Sequence, residues 1–113
     1  MRLLGWLLVC SLAASACTSS PISRKLGAQC TDKDDCDERC LRGAEYPDGL
    51  CSIACNGDDD CPSDARCVDI EGGVCLFRCG EPQDCAELLG VGWECQGVDP
   101  LIGEDEVQVC IGD

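Results

Sequence analysis

The chain has no histidine. That removes Ser-His-Asp and Cys-His forms of nucleophilic catalysis, and every zinc site built on an imidazole ligand. Aromatic residues are nearly as scarce: Trp6, Tyr46, Phe77 and Trp93 are the whole set in 113 residues. Aliphatic side chains beyond the first dozen positions are scattered rather than periodic, so nothing marks out a long amphipathic helix. Bases are few, 8 Lys and Arg against 22 Asp and Glu, for a net charge of −14. A surface of that sign repels nucleic acid and anionic membrane and favours cations or basic partners, so nucleic-acid binding is not expected. Long hydrophobic runs are missing too. The one apolar stretch, residues 3–12 (LLGWLLVCSL), is too short to cross a bilayer as a helix.

What the chain does have is cysteine, fourteen of them. More than a tenth of the residues is the mark of a disulfide scaffold in an exported protein, whereas a reducing cytosol would keep such thiols free or metal-bound. The N-terminus decides between those compartments. Met1-Arg2 supplies a charged start, the apolar run follows, and Ala14-Ser15-Ala16 supplies the small residues of a cleavage site. Residues 1–16 are therefore expected to be a signal peptide, removed on export. Loss of Arg2 leaves 7 bases against the same 22 acids, a net of −15 for the mature chain.

The remaining cysteines form a repeat, organised around CNGDDDCPSDARCVDIEGGVCLFRC at 55–79. First cysteines stand at Cys30, Cys55 and Cys79, a period of 25 and then 24 residues. Five residues separate the first from the second in each copy (Cys36, Cys61, Cys85), and an aspartate (Asp35, Asp60, Asp84) precedes that second cysteine. Third and fourth cysteines follow at Cys40 and Cys51, at Cys67 and Cys75, and at Cys95 and Cys110. Self-similarity at a fixed period indicates tandem structural units. The expected organisation is unit one at 30–54, unit two at 55–78 and unit three at 79–113, with residues 17–29 as a flexible tether. The expected fold is small and disulfide-rich: three four-cysteine units of short β-hairpins and loops with little regular secondary structure.

Local signals refine this. Pro47-Asp48-Gly49 is a turn, and Glu71-Gly72-Gly73 between two apolar segments is a hairpin loop. The stretch AELLGVGWE after Cys85 suits one helical turn ending near Gly90, and 96–109 suits a hairpin with an acidic tip at Glu104-Asp105-Glu106. Units of ~25 residues cannot bury enough surface to fold alone, so their bridges carry the stability. Four cysteines allow three pairings. First-to-third with second-to-fourth is favoured, because adjacent pairing closes loops of only five residues and leaves the hairpin unpinned.

Candidate chemistry is sparse. Cysteine-only metal sites normally use C-x-x-C pairs, and no two cysteines here stand that close. Paired carboxylates abound, but a glycosidase needs two of them across a sugar-shaped cleft, which three small units do not offer. No enzyme activity is expected. Calcium is the one cofactor the residues suggest. Asp32 and Asp34 in TDKDD, and Asp58 and Asp60 in NGDDD, place several hard oxygen ligands in short loops, although neither loop fits the EF-hand pattern. The aspartate before each second cysteine is expected instead to cap a turn on backbone N–H groups. Tyr46 and Trp93 lie in the variable loops and are either a binding strip or a small core over each unit's bridges; for Phe77, between Cys75 and Cys79, the core reading is favoured.

Two resemblances add location. Ala14-Ser15-Ala16-Cys17 resembles the lipobox of bacterial lipoproteins, although position 14 is Ala where Leu is usual. That resemblance implies cleavage before Cys17, lipidation of its thiol, anchoring in a membrane and, with Thr18 next, outer-membrane sorting. Parity agrees. With Cys10 lost and Cys17 lipidated, twelve cysteines remain for six bridges, whereas an unmodified Cys17 leaves an odd thiol. The run Cys-x5-Cys with Asp before the second cysteine, closing on Gly-Leu-Cys or Gly-Val-Cys, resembles the Cys-rich repeats of small exported lipoproteins of myxobacteria and their relatives. Asp59-Asp60-Cys61-Pro62 is similar, over a short range, to the opening of Dickkopf-type and whey-acidic-protein-type modules. The expectation that follows is a lipid-anchored surface protein, otherwise a secreted one. It would bind an extracellular protein or glycan through loops 41–50 and 96–109. Alternatives are a protease inhibitor presenting Arg42 and a calcium-dependent adhesion module.

Overall fold

The computed structural model of the protein describes residues 20–112; the expected signal peptide at 1–16 and the expected lipidation site Cys17 lie outside the described residues. Each four-cysteine unit folds into one antiparallel hairpin. Strands β1 (Arg39–Leu41) and β2 (Leu50–Ser52) pair in unit one, β3 (Ala65–Val68) and β4 (Val74–Phe77) in unit two, β5 (Trp93–Val98) and β6 (Val107–Gly112) in unit three. The register is the same in all three. The third cysteine lies directly opposite the fourth: Cys40 faces Cys51, Cys67 faces Cys75, and Cys95 faces Cys110. Residues opposed across an antiparallel ladder point to one face of it. Both sulfurs therefore meet the loop that carries the first and second cysteines.

The bridges complete that arrangement. Cys30–Cys40, Cys55–Cys67 and Cys79–Cys95 join first to third, and Cys36–Cys51, Cys61–Cys75 and Cys85–Cys110 join second to fourth. This is the pairing favoured among the three that spacing allows. In each unit the first cysteine's N–H also donates to a carbonyl just ahead of the fourth cysteine: Asp48, Gly73 and Gln108 respectively. The first loop is thereby laid across the second strand. Single turns of 3-10 helix occupy Lys33–Asp35 and Asp58–Asp60 in the first loops of units one and two. Unit three replaces that turn with α1 (Asp84–Leu89), whose C-cap is Gly90. The fold is thus a small disulfide-rich domain of three repeated hairpin units with little helix.

The units are not independent. The chain leaving β2 runs beside β4, where the Cys75 N–H donates to the Ile53 carbonyl and the buried Ser52 hydroxyl donates to the Cys75 carbonyl at 2.7 Å. Beyond β4, Arg78 bridges to Val109 of β6. The ring closes between units one and three, where the Gly112 N–H donates to the Glu45 carbonyl and the Tyr46 and Trp93 rings lie 6.5 Å apart, tilted by 51°. One continuous core results, holding Leu41, Tyr46 and Leu50 from unit one, Val68, Leu76 and Phe77 from unit two, and Trp93 and Val109 from unit three. A miniature core per unit, one of the two expectations for the aromatics, is therefore corrected. Segments of ~25 residues are too small to bury their apolar side chains alone, so they bury them in one another.

The tether expectation is corrected as well. From Ile22 onward the segment docks on units one and two. Leu26 is 1% exposed in the shared core. The Gly27 N–H donates to the Cys51 carbonyl, and the Cys51 N–H donates back to the Ala28 carbonyl. Gly27, at φ +108, sits so close to the Ile22 and Phe77 side chains that a Cβ there would lie 2.7 Å from Ile22 Cδ1. An apolar Ile-x-x-x-Leu pair hidden in a Ser- and Pro-bearing stretch was the signal; its polar neighbours masked it.

Candidate functional site

The repeated aspartate is a structural device. Asp35 Oδ2 accepts from the Thr31 and Asp32 N–H groups at 2.8 and 3.4 Å. Asp60 Oδ2 accepts from Asn56 N–H at 2.8 Å, and Asp84 Oδ2 from Gly80 and Glu81 N–H, both at 2.9 Å. One carboxylate oxygen thus satisfies the donors left free where the first cysteine's loop turns, as expected from the repeat. The donors favour the charged form and hold Asp35 and Asp84 below the ordinary carboxylate range. The linkage has one sign: a depressed acid stabilises the fold above its unfolded pKa near ~4, and that help fades as pH falls further.

The acidic loops are also occupied by their own chain. Asp32 Oδ1 accepts from Asp34 N–H at 2.8 Å. Asp58 receives the Cys67 N–H on Oδ1 at 2.8 Å and the Arg66 Nε on Oδ2 at 2.9 Å. With Asp60 capping Asn56, three of the four residues singled out for calcium turn a carboxylate oxygen to protein donors; Asp34, exposed, is the exception. The sulfurs of Cys30, Cys36 and Cys40, and of the matching triplets in the other units, cluster within 4.8 Å. Each is half of a disulfide and offers no thiolate.

Tyr46 and Trp93 are corrected as a binding strip. Each is 4% exposed, and together they seal the junction of units one and three. Burial, followed by the charges of Glu71 and Glu45, pushes the Tyr46 phenol up to about 12, with Arg39 opposing. An unfolded tyrosine ionises near ~10, so the buried neutral ring stabilises the fold fully below that pH, and the contribution is lost as pH rises from ~10 through ~12. Because Tyr46 is the sole tyrosine, near-ultraviolet phenolate absorbance follows it alone. The expected midpoint is about 12; a midpoint near ~10 would put the ring in solvent.

Of the two loops expected to recognise a partner, 41–50 buries Leu41, Tyr46, Gly49 and Leu50 and leaves Arg42 to Glu45 and Asp48 exposed. Its Arg42 guanidinium donates to the Thr31 carbonyl of the same unit, and Gly43 to Gly49 turn tightly through Tyr46 N–H to Gly43 O and Gly49 N–H to Tyr46 O. That is not the extended presentation a protease cleft takes from an inhibitor. The other, 96–109, is strand at both ends, in β5 to Val98 and in β6 from Val107, and its loop 99–106 is anchored at its base, with the Leu101 N–H on the Cys67 carbonyl and the Asp69 N–H on the Asp99 carbonyl. Its outer part, Ile102 and Glu104 to Glu106, stays exposed.

One concavity of the fold was not expected. An open cleft of about 440 Å³ lies where hairpins two and three meet, lined by Asp64, Arg66, Arg78, Gly80, Asp84 and Gln108. Its position follows from register. Arg66 pairs with Leu76 in the ladder, and Arg78 stands two residues further on, its N–H on the Asp64 carbonyl at 2.9 Å. The two arginines are diagonal neighbours on one face, since side chains two apart along a strand share a face. The signal was in the sequence: after Arg42 the chain holds no bases except Arg66 and Arg78. Only the fold brings both to one cleft. No helix among the described residues is long and apolar enough to cross a membrane. No protein-family model matches the chain, and neither the curated proteins nor the solved structures contain a significant match to it.

Proposed function

We propose that the protein is an exported, lipid-anchored surface protein that works as a non-enzymatic binding module. The observation that carries this reading is the pairing of the cysteines. Six bridges use every cysteine from Cys30 to Cys110. The two left over, Cys10 and Cys17, are the ones a signal peptide and a lipobox-like site would remove from the thiol pool. A disulfide scaffold of this density suits an oxidising compartment, and the resemblance to small Cys-rich lipoproteins points to the outer membrane or cell surface. Recognition is assigned to the exposed face of unit three, its loop 99–106 and the cleft beside it. Loop 41–50 keeps an exposed rim at Arg42 to Glu45 and is the second candidate surface.

The anchor is tested by intact mass and detergent partitioning of the protein from its native host. The expected mass is that of residues 17–113 plus acyl chains, less twelve hydrogens, and the protein should enter the detergent phase. Cys17→Ala should move it to the aqueous phase with its disulfides intact. An acyl-free mature mass would overturn the anchor and leave an odd thiol at Cys17.

A further inference from the structure

We propose that the cleft between hairpins two and three binds a small zwitterion, an amino acid or short peptide, with Arg78 holding its carboxylate and Asp64 its ammonium group. The inference rests on the reading of the chain as a binding module and not on its anchor. Its first support is the placement of charge. From position 43 to the end there are seventeen acids and two bases, and both bases line this one cleft. Seventeen acids offer ample partners for two arginines, yet among the described residues only one arginine is paired. Arg66 is held through Nε by Asp58 at 2.9 Å. Arg78 makes no ion pair among the described residues and is exposed at the cleft wall.

The carboxylates of the cleft divide in the same way. Asp84 spends Oδ2 on two backbone N–H groups. The Asp64 side chain has no hydrogen-bond partner among the described residues, while its backbone carbonyl holds the Arg78 N–H. Among the described residues, Arg78 is thus the cleft's unpaired guanidinium and Asp64 its carboxylate with neither oxygen engaged, facing each other just beyond the end of the β3–β4 ladder. The planar fork of an arginine matches a carboxylate in two parallel hydrogen bonds. A dianion such as phosphate would face Asp64 and Asp84 unneutralised, whereas a zwitterion brings its own cation to Asp64. Gln108, on the exposed face of β6, supplies a neutral donor and acceptor at the rim.

The test is a titration of the mature, oxidised protein in detergent, followed by 15N-edited NMR at low salt and mildly acid pH. The probes are diglycine, N-acetyldiglycine and inorganic phosphate. Diglycine should shift the Arg78 Nε–H and Gln108 side-chain amide signals with a Kd of millimolar order, as one or two charged hydrogen bonds allow. N-acetyldiglycine, lacking the ammonium, should bind several-fold more weakly, and phosphate more weakly still. Arg78→Gln should weaken diglycine at least about ten-fold, while its unchanged backbone amide spectrum certifies the fold. No shift at Arg78 with either carboxylate probe would overturn the site and make the residue a solvated surface arginine. Tighter binding of phosphate than of diglycine would overturn the ligand class, and equal binding of the two peptides would overturn the role of Asp64. A lipid-free mature mass changes none of these outcomes, so the two proposals fail separately.

Discussion

Complete reduction of the oxidised protein is expected to unfold it in buffer without denaturant. The bridges close loops of 10 to 25 residues, from Cys30–Cys40 to Cys85–Cys110. In the chain-entropy description the shorter contributes about 2.7 kcal/mol and the longer about 3.5 kcal/mol. Six such terms, even allowing for their nesting within units, match or exceed the ~5–15 kcal/mol that holds a typical domain together. The shared core does not make up for their loss, because it is assembled between units. Leu50 and Phe77 share one core only while each hairpin is held in register against its own first loop, and the bridges do the holding. Trp93, the one tryptophan beyond Trp6, is buried at the junction of units one and three and reports the loss by fluorescence and near-ultraviolet circular dichroism. A protein that keeps its buried Trp93 signal after all thiols are alkylated would show that the core suffices. Among single bridges, replacing Cys85 and Cys110 together by Ala should cost most. It opens the longest loop and empties positions that are 0% and 1% exposed.

The second large effect is expected at a glycine. Gly49 has φ +79, and a Cβ there would lie 2.1 Å from the Cys30 carbonyl oxygen. Gly73 repeats the relation in unit two, at φ +116 and 2.4 Å from the Cys55 carbonyl oxygen. In both units the glycine two residues before the fourth cysteine is where the second strand passes over the first cysteine's backbone. A carbonyl on a bridged residue cannot swing away as a flexible side chain would. Gly72 is the control, because at φ +85 it lies in the same positive-φ range as Gly49 but has nothing within 4 Å. Gly72→Ala should lose only the conformational part, about 1–2 kcal/mol. Gly49→Ala adds the overlap, for a total of about 2–5 kcal/mol. Denaturant unfolding of the two oxidised variants compares them. Equal losses would mean that the clash relaxes freely and that the close crossing is not a constraint.

This glycine pair shows how much of the fold was legible. The Gly-Leu-Cys and Gly-Val-Cys endings are visible by eye, as are the five-residue first loops and the aspartate before each second cysteine. All of these act within one unit, across a few residues. Local geometry requires them, so spacing records them. The hairpin loop at Glu71 to Gly73 and the helix stop at Gly90 belong to the same class. Unit three departs from the glycine rule, with Gln108 at that position, and there the Cys79 N–H still reaches the Gln108 carbonyl.

The site was less legible. Tyr46 and Trp93 suit recognition only if their loops hang free. They are buried because unit three folds back on unit one, a contact between residues 47 positions apart that no local pattern encodes. Arg66 and Arg78 carry no local motif that marks them as a pair. Their scarcity in an acidic stretch was readable, but their meeting in one cleft depends on β-ladder register and on the crossing of β4 past β6.

The sequence by itself determined the disulfide-rich class, the threefold repeat, its hairpins and the role of its capping aspartates, because each rests on contacts inside a single unit of about 25 residues. It also carried the charge imbalance, which is a matter of composition. Only the tertiary structure decided that the three units share one core, that the segment from Ile22 to Ala28 belongs to it, and which charges remain unpaired beside hairpin three. The physical reason is the same in each case. A unit too small to bury its own apolar side chains must bury them in its neighbours, and such contacts leave no period in the chain.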